Sequence, residues 1–143
     1  MKIIKYTIIA ALSIIPLILT ADYAKVTDDL AIEYAQGAAY ALIIHQGFES
    51  SGGSAEVSKR YSDMHKALSL VSVMLSWESR SIEMGNKVTL SRIEWFKSDM
   101  LKEMGNNYRN ISILSSKYEK AAFSLLDSTD QVIEALDSAN LTK

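Results

Sequence analysis

The chain contains no cysteine and only one proline, and both absences limit what it can be. Without cysteine there is no disulfide, no thiolate nucleophile and no cysteine-bound zinc, so packing alone must stabilise the fold. The single proline, Pro16, lies near the N-terminus, so no later helix is interrupted by a missing backbone N–H. A chain of this length buries one core without such help, and 48% of its residues are apolar.

The N-terminal stretch "MKIIKYTIIAALSIIPLILTA" has the pattern of a secretory signal peptide. Two lysines precede an apolar run of about a dozen residues, too short for a comfortable membrane span, and the small residues Thr20 and Ala21 follow it. We predict a signal peptide over residues 1–21 and a single domain over residues 22–143. The protein would be periplasmic or secreted, touching the membrane only through the leader before cleavage. An uncleaved anchor is the alternative.

Basic residues are scarce and scattered. The chain has 15 lysines and arginines against 17 acidic residues, and Lys2 and Lys5 would leave with the leader. Nucleic-acid binding needs a clustered basic face, and no such run occurs. The sequence therefore predicts no nucleic-acid partner.

The rest of the chain has the apolar periodicity of α-helices, so we predict an all-α fold, an antiparallel bundle of about four helices. Capping and turn residues predict these boundaries: a first helix from Thr27 to the "ESSGGS" loop, a second over 55–84 stopped by Gly85 and Asn86, a third from Ser91 to before Gly105, and a fourth from about 107. The sequence "DSTDQ" at 127–131 is a candidate break in the last helix.

One apolar stripe on each predicted helix forms the candidate core. The stripes are Leu30, Tyr34, Ala38, Ala41, His45 and Phe48 on the first helix; Val57, Tyr61, Met64, Leu68, Val71, Leu75 and Ile82 on the second; Ile93, Phe96, Met100 and Met104 on the third; and Ile111, Leu114, Tyr118, Ala122, Leu125, Val132 and Leu136 on the fourth. If the glycine loop folds the first helix against the second, the numbers of facing residues sum to about 103. His65 then faces Ala38, and His45 faces Ser58.

A serine or histidine occupies every third or fourth position along the second helix. The positions are Ser58, Ser62, His65, Ser69, Ser72, Ser76 and Ser79. Small side chains at this spacing let a neighbouring helix approach closely, so we interpret them as a packing seam. A catalytic serine would need a convergent base and an orienting group, which neighbours on one helix rarely provide, and no G-x-S-x-G turn exists. We therefore do not predict an enzyme.

The two histidines give weak support for a bound ligand. No H-E-x-x-H or E-x-x-H motif is present, and the expected register separates the two rings by about 10 Å along the helix axis, so no metal site is predicted. His45 lies on an apolar face and is a weak candidate ligand for haem or another small molecule, with Met64 or Met104 as the second axial ligand. A hydrogen-bonded core histidine is the alternative, and we predict no cofactor.

Some apolar residues lie away from the core stripes. On the second helix these are Leu70, Val73, Met74 and Trp77, and on the third helix Trp95 lies among charged residues. Tryptophan and methionine are enriched at the centres of protein interfaces, so we predict that these five residues bind a partner. The alternative is that the second helix is central and covered on both sides, with Trp95 lying flat on a neighbouring element.

Together these patterns predict an exported helical protein that acts through protein–protein contacts, with a protein partner or by self-association. Small exported helical proteins include accessory components of envelope or secretion systems, and inhibitor or immunity proteins, although this step is an analogy of size and class. The alternative function is a small-molecule or haem carrier that uses the bundle interior near His45.

Overall fold

The computed structural model describes the backbone of residues 21–77 and 81–140, and the side chains of residues 27–76 and 81–138. The described chain is all-helical, with helix α1 over Ala21–Ser51, α2 over Ala55–Trp77 and α3 over Ile82–Glu103. After a short 3₁₀ turn, α4 is α-helical over Ile111–Leu114, π-helical over Ser115–Glu119 and α-helical again over Lys120–Asn140. Across the described helices, none is both long enough and apolar enough to cross a membrane. Except for Ala21, the predicted leader lies outside the described residues.

Two of the predicted helix ends are confirmed, and both depend on glycine. After α1 the backbone turns at Gly52, whose φ of +65° lies in the left-handed region. After α3 the same role falls to Gly105, with a φ of +64°. Residues with a Cβ atom adopt this region only at a cost in conformational free energy, which glycine avoids. A glycine therefore allows a helix to end sharply at these two positions.

The predicted boundary between the second and third helices is wrong. Gly85 and Asn86 do not stop α2; they lie in the first turns of α3, which begins at Ile82 rather than at Ser91. The Ser81 side chain caps this helix, accepting a hydrogen bond from the Met84 N–H at 3.2 Å. A glycine inside a helix costs only about 1 kcal/mol, which a good cap and close packing offset.

A further prediction about a helix end is wrong, and the break left open at residues 127–131 does not occur. Thr27 is not a cap, because α1 already begins at Ala21 and Thr27 is buried within it. The "DSTDQ" sequence does not break α4, which continues through residues 127–131. There the Ser128 hydroxyl donates to the Ser124 carbonyl one turn earlier at 2.8 Å, so it is satisfied inside the helix and does not begin a new one.

The predicted pairing of α1 with α2 is confirmed. The His45 Nδ1 lies 2.8 Å from the Ser58 hydroxyl, the His65 Nδ1 lies 2.9 Å from the carbonyl of Ala38, and the Ser72 hydroxyl donates to the carbonyl of Ala31 at 2.7 Å. In each pair the residue numbers sum to 103, as expected for antiparallel helices. Ser58, His65 and Ser72 of the predicted packing seam therefore lie against α1, whereas the hydroxyl of Ser76 accepts from Arg92 of α3.

The central helix is α1, not α2. Buried residues lie on nearly every side of α1: Leu30, Ala31, Tyr34, Ala35, Ala38, Ala39, Tyr40, Ala41, Ile43 and Ile44. The other three helices all pack against it. Five of these ten residues are alanine, and small side chains allow neighbouring helices to approach on several sides. The remaining predicted core stripes are largely buried, except for Ile82, which is 52% exposed at the start of α3.

Candidate functional site

Exposed apolar side chains concentrate on α3. Among the described residues, six large apolar side chains are exposed: Ile82, Met84, Leu90 and Trp95 on α3, Leu70 on α2 and Ile113 on α4. Scattered single exposures are normal on a protein surface, but four on one helix are not scattered. This concentration makes α3 the candidate contact surface.

Four apolar residues of α3 line an open groove against α1. Met84, Val88 and Trp95 form one wall together with Phe96, and Ile32 of α1 lies at the base of the groove, whose volume is about 570 Å³. The Trp95 ring packs edge-on against the Phe96 ring, with centroids 4.9 Å apart, yet 63% of Trp95 stays exposed. A ring this large, held in place but mostly uncovered, is a typical anchor for a binding partner.

A partly buried ion pair links α3 to α1 beside this groove. The Arg92 guanidinium lies 2.9 Å from the Asp28 carboxylate of α1 and donates to the hydroxyl of Ser76 on α2 at 3.2 Å. Both charged side chains are mostly buried, and a guanidinium held by two helices is strongly restrained. Arg92 therefore sets the position of the groove wall relative to its base.

The exposed wall has a regular spacing. Met84, Val88, Ser91 and Trp95 follow one another at intervals of four, three and four residues, which places them on one face of the helix. We call these four residues the α3 stripe. It covers about 16 Å along the helix axis at 1.5 Å per residue, and Ser91 leaves a gap between its larger members.

The predicted partner-binding residues do not form one surface. Trp95 is exposed in the groove, whereas Leu70, which is 58% exposed, lies on α2, and none of the described α2 side chains, Ala55 to Ser76, lines the groove. Val73 and Met74 are half-buried, and Met74 packs against the core. The side chain of Trp77 lies outside the described residues.

Ile32, Met84 and Val88 were not among the predicted partner-binding residues. The predicted second helix ran to residue 84, and Gly85 and Asn86 were assigned to a turn. Met84 and Val88 therefore lay outside the predicted third helix, so only two of the four stripe residues were on it. The spacing itself was available as a signal. Ile32 could not have been found this way, because its role depends on which face of α1 meets α3.

His45 lies near the end of the α1–α2 pair, where its Nδ1 is hydrogen-bonded and its Nε2 faces a more distant carboxylate. Nδ1 is within 3.1 Å of both the hydroxyl and the carbonyl oxygen of Ser58, and Nε2 lies 3.6 Å from the Glu49 carboxylate. A ligand bound here would have to displace one of these contacts. The candidate axial residues Met64 and Met104 are both buried in the core.

One carboxylate is placed unfavourably. Glu33 of α1 lies beside α4, next to Gly37, Ala122 and Leu125, and its Oε2 is buried without a hydrogen-bond partner. Burial, helped by the nearby charge of Asp29, raises the pKa of Glu33 to about 7. Within the described residues no group of three or more histidine and carboxylate side chains is placed to hold a metal ion.

Comparison of this chain with protein-family models, with curated proteins and with solved structures finds no match. Any functional proposal must therefore come from the groove and its residues.

Proposed function

We propose that this protein is exported and acts, without catalysis, as an antiparallel bundle of four helices that binds another polypeptide or a second copy through α3. The observation that carries the proposal is Trp95, 63% exposed in a groove shared by α1 and α3. Burial of such a side chain in a partner is worth several kcal/mol at the centre of an interface, whereas its exposure to water serves no structural purpose.

The leader pattern supports the compartment. If residues 1–21 are removed on export, the protein works in the periplasm or outside the cell, where a chain without cysteine forms no disulfides under oxidising conditions. An accessory role in an envelope or secretion system, or an inhibitor or immunity role, would suit a small protein that works by contact.

The test is native mass spectrometry of the protein purified gently from its own host. The subunit mass reports whether residues 1–21 have been removed, and the mass of the intact species reports any second polypeptide or second copy. We expect Trp95→Ala to lose the associated species while circular dichroism shows unchanged helicity. Ile113→Ala, which trims another exposed apolar residue on α4, is the matched control and should keep it.

Two results would contradict the proposal. A wild-type protein that is always a bare monomer would show that the groove binds no polypeptide under these conditions. A constant small-molecule adduct, lost in His45→Ala, would support the carrier function instead.

A further inference from the structure

We propose that the occupant of the groove is a second copy of this chain, bound through the α3 stripe with the two α3 helices antiparallel. This inference rests on the proposed function and names its partner. It follows from the spacing of the stripe, from the charges beside it and from the sizes of the residues within it.

The spacing of the four stripe residues is the same in both directions along α3. The stripe's spacing of four, three and four residues is symmetric, so a two-fold axis between Val88 and Ser91 places each member opposite another member. Trp95 then meets Met84 of the second copy, and Val88 meets Ser91 of the second copy. A large ring against a flexible thioether is a favourable contact, and the gap at Ser91 accepts the branched side chain of Val88.

Charges on the open flank of the stripe fit the same arrangement. Lys87 and Glu94 each precede a stripe residue by one position, so both lie on the flank away from Arg92 and its contact with α1. In antiparallel helix pairs with this spacing, residues of this flank face each other across the seam, which brings Lys87 of each copy to Glu94 of the other. Glu94 is 70% exposed with only a loose contact to Lys97 at 3.9 Å, and among the described side chains exposed Lys87 has no ion-pair partner.

A parallel arrangement would be repulsive. It would place Lys87 beside Arg92 of the other copy and Glu94 beside Asp99, so like charges would meet at both points. It would also put the two Trp95 rings at the same level, leaving Met84 against Met84. The charges therefore select one orientation of a second copy, which is the role that flanking charges have in paired helices.

The first test measures the dissociation constant of the dimer by sedimentation velocity over a concentration series. The sample is the protein purified from its own host. Because the stripe is short, we expect a weak dimer, with dissociation in the micromolar range. Trp95→Ala should weaken it by at least about tenfold. Leu90→Ala is the matched control, because Leu90 is as exposed as Trp95 but lies outside the stripe and the groove.

Charge reversal tests the orientation. Lys87→Glu and Glu94→Lys should each weaken the dimer by about tenfold, since each places two like charges together at both ends of the seam. The double variant Lys87→Glu/Glu94→Lys should return to within about threefold of the wild-type dissociation constant. A double variant no tighter than the single variants would overturn the antiparallel pairing, and a dimer that ignores Trp95→Ala would overturn this surface.

The inference and the proposed function fail in different ways. A chain that stays monomeric at every concentration, yet loses another bound polypeptide when Trp95 is changed to alanine, would end the second-copy inference and leave the proposed function standing. A chain that stays monomeric and binds no polypeptide would end both.

Discussion

At the scale of single residues, Glu33 links solution pH to the stability of the fold. Its carboxyl group lies half-buried against α4 with a pKa raised to about 7, because burial and the charge of Asp29 both disfavour the ionised form. In the unfolded chain the same group titrates near its ordinary value of 4.5. Between these two pH values the folded chain holds a proton that the unfolded chain has lost.

The free energy of unfolding should therefore fall as pH rises from about 4.5 to about 7, and this contribution should stay lost above that window. Because Glu33 is only partly buried, solvent screening limits the loss to about 1 kcal/mol. Urea unfolding at pH 5 and pH 8 should show this loss in the wild type and not in Glu33→Gln. Asp29→Asn should show a smaller loss. Equal pH dependence in the wild type and Glu33→Gln would contradict the assignment.

At the scale of secondary-structure elements, the π-helical turn over Ser115–Glu119 builds a polar contact among three helices. The Glu119 carboxylate accepts a hydrogen bond from the Tyr61 hydroxyl of α2 at 2.8 Å, and the Tyr40 hydroxyl of α1 lies 3.4 Å from the same oxygen. A π turn adds one residue to the helical repeat and so changes which side chains face inward. This turn fixes α4 to the α1–α2 pair.

A double-mutant cycle measures that contact. Tyr61→Phe and Glu119→Ala should each lower the free energy of unfolding by about 1–3 kcal/mol, because each leaves a partner without its charge-assisted hydrogen bond. The double variant should cost less than the sum of the two, with a coupling of about 1 kcal/mol from urea unfolding. As a matched control, Tyr108→Phe on the 3₁₀ turn should show no coupling with Glu119→Ala. Additive losses for Tyr61 and Glu119 would show that the hydrogen bond contributes nothing.

Helix boundaries and pairings were predictable where the local sequence determines them. The register of α1 and α2 was predictable because a short glycine loop and two regular apolar stripes leave one way to pair the helices. The start of α3 was not, because Gly85 and Asn86 have the composition of a helix stop, and only the Ser81 cap and the packing of Gly85 overrule it. The π turn has no signal in local periodicity. The exposure of Trp95 was predictable from its position on a charged face, but the groove beneath it was not.

At the scale of the whole molecule, the burial of α1 on nearly every side makes the fold depend on one helix. Five of its buried residues are alanines, and one of them, Ala38, is fully buried opposite His65, whose ring nitrogen lies 2.9 Å from the Ala38 carbonyl. No single side of the core can then be disturbed without moving α1. The unfolding of α2, α3 and α4 should accordingly be coupled through α1.

Ala38→Leu tests this dependence. Three additional carbon atoms at a filled site should lower the free energy of unfolding by about 1–3 kcal/mol. Ala55→Leu, at the exposed start of α2, should change it by less than about 0.5 kcal/mol. Urea unfolding of Ala38→Leu should give one transition, with the same midpoint from circular dichroism, which follows all helices, and from tryptophan fluorescence, which follows α2 and α3. Separate midpoints would contradict this prediction. They would show that the outer helices unfold independently of α1, although they surround it.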